Sequence, residues 1–237
     1  MTRDFYSLEE LAQQLGRDRR KVERMVNRGR IPGRKVSGEW RFHRAQITHW
    51  LEHQIRDYTD EELASVEEHH QSDEADAEVP VSSLLAPETA QVPLQARTKR
   101  SVLESLVEVA GRTWHIWEPS IVLKAVQERE EVLSTGFENG VAIPHPRNPV
   151  PDVVGQSVIA FGRTTSGIPF GAPRRALSDL FFLVVCRDSR THLQVLARLG
   201  RLIQLPGFPD ELRGATDSKS SREIICNADD RIGRDAC

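Results

Sequence analysis

Charge divides this chain into three blocks. Residues 1–56 hold 13 Lys and Arg against 7 Asp and Glu, a balance of +6, and residues 57–78 hold 10 Asp and Glu with no Lys or Arg. The rest of the chain carries a balance of +1. A basic, an acidic and a nearly neutral block predict two domains joined by a linker. The linker is expected over residues 57–98, which lack helical or strand periodicity, and it is expected to be mostly disordered.

Composition excludes several classes of protein. No run approaches the roughly 18 to 20 apolar residues of a membrane-spanning helix, and the first residues lack the apolar region of a secretion signal. The three cysteines (Cys186, Cys226 and Cys237) are too scattered for a disulfide framework or a zinc site. We therefore expect a cytoplasmic protein with reduced thiols and no membrane insertion.

The basic block, residues 1–56, has the pattern of a winged helix-turn-helix. Ser7, with Glu10 three residues later, predicts the capping box of a first helix. Asp18 is placed to cap a second helix, whose exposed face is rich in arginine. Residues 35–42 read as two short strands around a Ser-Gly turn, which is typical of a β-hairpin wing, and a third helix follows.

The block resembles the excisionase/MerR-type winged helix-turn-helix family over about 50 residues. The resemblance lies in a helix, the run RRxVxRxVxRGxIPG, a wing containing GxWRF, and a helix ending in Trp-Leu. It implies that the second helix and the wing bind DNA through Arg19, Arg20, Arg24, Arg34, Lys35 and Arg41. The alternative is a solvated basic face on a protein-interaction module.

Several histidines invite a metal site. His49 and His53 are spaced i, i+4 on the third predicted helix, and His43 and the pair His69–His70 lie nearby in sequence. No cysteine or patterned carboxylate completes a ligand set. We expect no metal and no other cofactor.

The nearly neutral block predicts an α/β domain over residues 99–230, followed by a polar tail at 231–237. Two amphipathic helical patterns precede two apolar runs rich in β-branched and aromatic residues, and two further helical patterns follow. The apolar runs, at 153–163 and 176–187, suit a sheet that is buried on both faces and flanked by helices.

Residues 129–147 of this domain read REEVLSTGFENGVAIPHPR. His145 lies between Pro144 and Pro146, and proline fixes its own φ and restricts the residue before it. This stiff mount presents an imidazole, the usual side chain for chemistry near neutral pH. An ordinary rigid turn is the alternative.

The same stretch, with the strand SDLFFLVV and the later pattern HLxxLAxL, resembles the phosphotransferase-system (PTS) enzyme IIA domain, type 2, of fructose, mannitol or nitrogen-regulatory proteins. The resemblance implies a mixed sheet flanked by helices. It also implies that phospho-HPr phosphorylates His145, that His192 lies beside it, and that Arg129 is the nearby cation. Members commonly have glycine after the phosphorylated histidine, whereas Pro146 stands here and removes a backbone N–H.

The residue types suit phosphoryl transfer, because a neutral imidazole is a nucleophile and a guanidinium stabilises phosphate charge. Ser134 and Thr135 either donate hydrogen bonds to phosphate or shape the turn. Arg147 either contacts the donor or is a surface arginine. No Gly-x4-Gly-Lys-Ser/Thr loop occurs, so ATP is not the expected donor.

Three functional hypotheses remain open from sequence. In the first, the protein is a phosphocarrier that also regulates transcription through its DNA-binding domain. In the second, it is a phosphocarrier for a sugar-specific IIB domain or a regulatory acceptor, and the N-terminal domain is incidental. In the third, it is a DNA-binding or protein-interaction regulator that uses the IIA fold as a non-phosphorylated scaffold.

Overall fold

The computed structural model describes residues 5–55, 58–69 and 79–235. The N-terminal domain contains three short helices and a three-stranded antiparallel sheet in the order β1-β3-β2. Its elements are β1 (Phe5–Tyr6), α1 (Leu8–Gln14), α2 (Arg19–Asn27), β2 (Arg34–Val36), β3 (Glu39–His43) and α3 (Arg44–Gln54).

Local capping explains why these short helices begin where they do. The Ser7 side chain accepts the Glu10 N–H, and the Glu10 carboxylate accepts the Ser7 N–H, which completes the predicted capping box. The Asp18 carboxylate accepts the N–H groups of the first turn of α2. Ser37 and Gly38 both adopt positive φ, as a tight hairpin turn requires. The predicted winged helix-turn-helix is confirmed.

The remaining elements form a second, four-stranded sheet and the helices around it. They are α4 (Asp60–His69), α5 (Val81–Leu84), β4 (Ala90–Gln91), α6 (Lys99–Gly111), α7 (Pro119–Val132), β5 (Val141–Ala142), β6 (Val158–Ile168), β7 (Ser178–Val185), α8 (Ser189–Gln204), α9 (Phe208–Gly214) and α10 (Ser218–Asp235). Among these residues, no helix is both long and apolar enough to cross a membrane.

The sheet is mixed and is buried on both faces, as expected. Its order is β4-β6-β7-β5, with β6 and β7 antiparallel and each outer strand parallel to its neighbour. Successive side chains of a strand point to opposite faces. Phe182 and Val184 of β7 accordingly join the core beneath α8, whereas Phe181 and Leu183 join the core beneath α6 and α7.

The expectation of a disordered linker over residues 57–98 is wrong in its described parts. Strand β4 pairs with β6, so the sheet already includes residues 90–91. Helix α4 buries Leu63 and Val66, and Glu67 of this helix pairs with Arg198 and Arg201 of α8. Three of its acidic residues, Asp60, Glu62 and Glu67, pair with arginines, which ties the helix to both domains. Residues 56–57 and 70–78, which include His70, lie outside the described residues.

The polar tail expected at residues 231–237 is also corrected. Helix α10 continues to Asp235, and Ile232 in its last turns is buried in the core beneath α8. An apolar residue at helical spacing therefore extends the domain beyond residue 230. Residues 236–237, with Cys237, lie outside the described part of the chain.

Candidate functional site

The backbone around His145 is fixed by the sheet. Strand β5 pairs in parallel with β7, and beyond its end the Val184 N–H still donates to the Pro144 carbonyl over 3.0 Å. Gly140, at φ +85°, turns the chain into β5 in a conformation that favours glycine. His145 therefore lies at the carboxyl end of an edge strand, and its side chain is 4% exposed.

One ring nitrogen of His145 is committed to the backbone. Nδ1 lies 2.7 Å from the carbonyl oxygen of Ile143, and because a carbonyl only accepts, Nδ1 carries the proton. Nε2 has no hydrogen-bond partner within the described residues. Burial lowers the pKa of His145 and outweighs the neighbouring carboxylate, so the ring is neutral near pH 7. Nε2 thus keeps a lone pair for nucleophilic attack.

The structure brings the other two predicted catalytic residues to this ring. The His192 ring packs edge-on against that of His145, with centroids 5.1 Å apart. It lies in the first turn of α8, which Asp188 caps. Arg129 lies in the last turn of α7, is buried, and donates from Nη1 to the Leu133 carbonyl over 2.8 Å.

Glu52 of the N-terminal domain completes the site, and the sequence analysis missed it. Its carboxylate enters from α3, and the side chain is fully buried. Oε1 lies 3.1 Å from His192 Nε2, and Oε2 lies 3.6 Å from Arg129 Nε and 3.7 Å from His145 Nε2. The only signal in the sequence is that Glu52 is the one acidic residue of α3, beside the core residue Leu51.

The Glu52 carboxyl is ionised in this setting. Burial by itself would raise its pKa, but the hydrogen bond from the His192 imidazole holds the pKa well below its usual range. A carboxylate accepts hydrogen bonds and cannot donate them, so the His192 Nε2 carries a proton and donates to Oε1. The Glu52 carboxylate is therefore an anion that faces the His192 N–H donor and the Arg129 guanidinium.

The two hydroxyl residues before the strand hold the loop in place. Ser134 donates from Oγ to the Phe170 carbonyl over 2.8 Å. Thr135 donates its hydroxyl and its N–H to the two oxygens of Glu130, over 2.7 and 2.8 Å. This geometry favours the turn-shaping alternative over direct contact with phosphate for both residues.

The residues that follow His145 differ in exposure. Pro146 is buried, and Arg147 is exposed at the surface just beyond the site. This position fits both alternatives for Arg147, namely contact with a phosphoryl donor and a surface arginine with no part in the site.

The donor atoms of Glu52, His145 and His192 lie within 4.8 Å of one another, a set that zinc also uses. The Arg129 guanidinium faces the same carboxylate, and its fixed positive charge opposes a divalent cation there. Of the histidines considered from sequence, His43 is exposed and His49 Nδ1 lies 3.4 Å from Glu52. The side chains of His53 and His69 lie outside the description.

The residues predicted to bind DNA occupy one helix and the wing. All six are exposed, namely Arg19, Arg20 and Arg24 on α2 and Arg34, Lys35 and Arg41 on β2 and β3. Two of them rest on aromatic rings, Arg34 over Phe5 and Lys35 over Trp40. Such stacking orients a long side chain while its charge stays in water.

Comparison with known proteins places both domains. The sequence profile described as "Phosphoenolpyruvate-dependent sugar phosphotransferase system, EIIA 2" matches residues 83–228. The chain belongs to this family. A helix-turn-helix domain profile matches residues 5–55. The EIIA match begins within α5, which agrees with the inclusion of β4 in the sheet.

Relatives of this EIIA protein differ in their architecture. The nitrogen regulatory protein of Escherichia coli (strain K12) is 28% identical over 156 residues, which cover 65% of this chain and 94% of the relative. The fructose-specific EIIABC component of Bacillus subtilis (strain 168) is 26% identical over 61% of this chain, and the match spans 23% of that protein. The crystal structure of nitrogen regulatory protein IIA-Ntr from Neisseria meningitidis superimposes with a TM-score of 0.55 at 24% identity, over 61% of this chain and 98% of that one.

Proposed function

We propose that the EIIA domain accepts a phosphoryl group from phospho-HPr on Nε2 of His145, and that the helix-turn-helix domain uses this state to regulate transcription. The observation that carries the first part is the hydrogen bond from Nδ1 to Ile143, which leaves Nε2 as the nucleophile. The neutral state of the buried ring supports it further. Such a protein would act in the cytoplasm.

The chemical step follows from the positions of three residues. The Nε2 lone pair of His145 attacks phosphorus, a nitrogen–phosphorus bond forms, and the bond to the donor breaks with its electron pair left on the donor. The proton on Nδ1 remains hydrogen-bonded to Ile143. Arg129 would neutralise charge on the phosphoryl oxygens, and the His192 Nε2–H would donate to one of them.

Phosphorylation at His145 is tested with the full chain, enzyme I, HPr and phosphoenolpyruvate. We expect the mass of one phosphoryl group, labile in acid, on the wild type and on His115→Ala, a histidine outside the site. His145→Ala should carry none. If the wild type takes no label from a competent donor, the phosphocarrier proposal fails, and the non-phosphorylated scaffold becomes the better account.

DNA binding is tested separately at the exposed arginines of α2. Replacing Arg20 and Arg24 together by alanine should weaken binding to a random-sequence duplex. Each lost phosphate contact should reduce the slope of log affinity against log salt by about one. Fluorescence anisotropy at several salt concentrations measures both quantities.

The matched control for this experiment is Arg234→Ala, an exposed arginine near the end of α10. It removes one positive charge from the EIIA domain and should change neither affinity nor slope appreciably. An equal loss per removed charge in both variants would show that only net charge matters, and would contradict a DNA site on α2 and the wing.

The position of Glu52 favours the regulatory hypothesis over a simple carrier for a IIB domain. A side chain of the helix-turn-helix domain lies within 3.7 Å of the proposed nucleophile. If the N-terminal domain were unrelated to the phosphorylation site, we would not expect one of its side chains to be buried beside that atom. The contact between Glu52 and His145 is compatible with either acceptor of the phosphoryl group, a IIB domain or a regulatory protein.

A further inference from the structure

We propose that Glu52 is an internal substitute for the phosphoryl group, so that docking of α3 and phosphorylation of His145 exclude each other. The inference rests on the proposed function of His145 and adds the regulation of that site. In this closed arrangement, with α3 docked on the EIIA domain, the helix-turn-helix domain inhibits phosphorylation of its own EIIA domain.

The contacts of Glu52 are those that a phosphoryl group would need. One carboxylate oxygen accepts from His192 Nε2 over 3.1 Å, and the other faces Arg129 Nε at 3.6 Å. That second oxygen is also 3.7 Å from His145 Nε2, the atom that would carry phosphorus. An anionic group with oxygen acceptors is thus already in place beside the nucleophile.

The space that remains is too small for the reaction. A cavity of about 20 Å³ lies between the two domains, which is room for one water molecule. It is lined by Glu52 and Ile55 from the N-terminal domain and by Arg129, His145 and Leu196, among others, from the EIIA domain. A phosphorus with three oxygens does not fit there, and the buried Nε2 cannot meet a donor protein. Phosphorylation therefore requires α3 to leave.

Apolar packing holds α3 against the EIIA domain. Leu51 and Ile55 belong to the same core as Leu196 and Leu199 of α8. At Gly200 the helices approach so closely that an added Cβ would lie 3.2 Å from Ile55 Cγ2 and from Leu63 Cδ1. The absence of a side chain at Gly200 permits this approach.

Phosphate on His145 would reverse this arrangement. Its oxygens would compete with the Glu52 carboxylate for Arg129 and His192, and the two negative groups would repel each other. Because coupling between two sites is reciprocal, whatever stabilises the released helix-turn-helix domain also favours phosphorylation.

The test compares initial rates of phosphorylation by phospho-HPr in full-length variants. Glu52→Gln keeps the size of the side chain and removes its charge, and it should be phosphorylated at least about tenfold faster, because the rate follows the fraction of open protein. Glu52→Ala also removes volume and should be faster still. The control Glu61→Gln removes an exposed charge of α4 and should match the wild type. Wild-type or slower rates in both Glu52 variants would overturn the proposal.

A second readout needs no phosphoryl donor. Diethylpyrocarbonate modifies accessible imidazoles, and peptide mass spectrometry reports its rate at His145. We expect faster modification in Glu52→Gln and in Gly200→Leu, which forces the helices apart without replacing any residue of the site. Unchanged modification in both would overturn the closed arrangement. Faster modification without phosphorylation of any variant would instead uphold the closure and refute the phosphocarrier function.

Discussion

Replacing Arg198 by methionine is expected to lower the free energy of unfolding by about 3–5 kcal/mol. The Arg198 side chain lies at the junction of α4, α8 and α10 and is 1% exposed. Its guanidinium donates to Asp229 Oδ1 and to Glu67 Oε1, each over 2.7 Å, and to the Asp229 carbonyl over 2.9 Å. The expected loss comes from the charges that the substitution leaves without this partner.

Glu67 and Asp229, the carboxylates that pair with Arg198 among the described residues, are affected differently. Glu67 keeps Arg201, whose Nη1 lies 3.0 Å from its second oxygen. Asp229 keeps a hydrogen bond from the Ser82 N–H over 2.9 Å but loses its cation, and it is fully buried. Methionine replaces most of the arginine stem, so lost packing contributes little. The uncompensated carboxylate of Asp229 is therefore the main cost.

Urea unfolding followed by circular dichroism measures this effect. The control is Arg100→Met on α6, where an exposed arginine pairs with Glu104 over 2.8 Å. A surface pair of this kind contributes little, because solvent screens both charges. If Arg198→Met costs no more than Arg100→Met, the buried network contributes no more than a surface pair and the prediction is wrong.

Sequence reasoning succeeded where the causes are local. Ser7 and Glu10 satisfy each other's backbone groups within one helical turn, so their spacing of three positions suffices to predict the cap. The sheet strand β7 is likewise evident from its run of apolar and aromatic residues. The prediction that Arg129, His145 and His192 lie together came from the resemblance to a family, because no local sequence pattern links residues so far apart in the chain.

The acidic segment shows where composition misleads. Residues 58–69 contain few apolar side chains and many carboxylates, a composition typical of a solvated linker. Their order depends on arginines distant in the chain, because Glu62 pairs with Arg17 and Glu67 pairs with Arg198. Charge pairing across such separations leaves no periodicity in the sequence. The segment instead connects the two domains.

Glu52 was missed for a related reason. The helix-turn-helix pattern accounts for α3 as the third helix of a small domain, and within that domain a glutamate between Leu51 and a histidine reads as solvent-facing. The residue is buried in the full chain, where its carboxylate contacts Arg129, His145 and His192 of the EIIA domain. A family profile describes each domain separately, so a contact between domains is visible only in the assembled chain.

Arg129→Met is expected to slow phosphoryl transfer to His145 by about 10²–10³-fold when it is measured in a Glu52→Gln background. Arg129 is the buried cation beside the nucleophile, and its charge would stabilise the oxygens of the phosphoryl group in transfer. The background is necessary because Arg129 also contacts Glu52. In the wild type, the substitution would loosen α3 and impair the chemistry at once, with opposite effects on the rate.

The control in the same background is Lys124→Met, which removes an exposed cation one turn earlier on α7. It should leave the rate unchanged. Arg129→Lys keeps a charge without the forked donors of a guanidinium, and it should recover part of the loss. If the Arg129→Met, Glu52→Gln protein transfers as fast as Glu52→Gln alone, Arg129 serves only to hold Glu52. The ionic contact between Arg129 and Glu52 would then still stabilise the closed state, but Arg129 would not be the cation that stabilises the phosphoryl group.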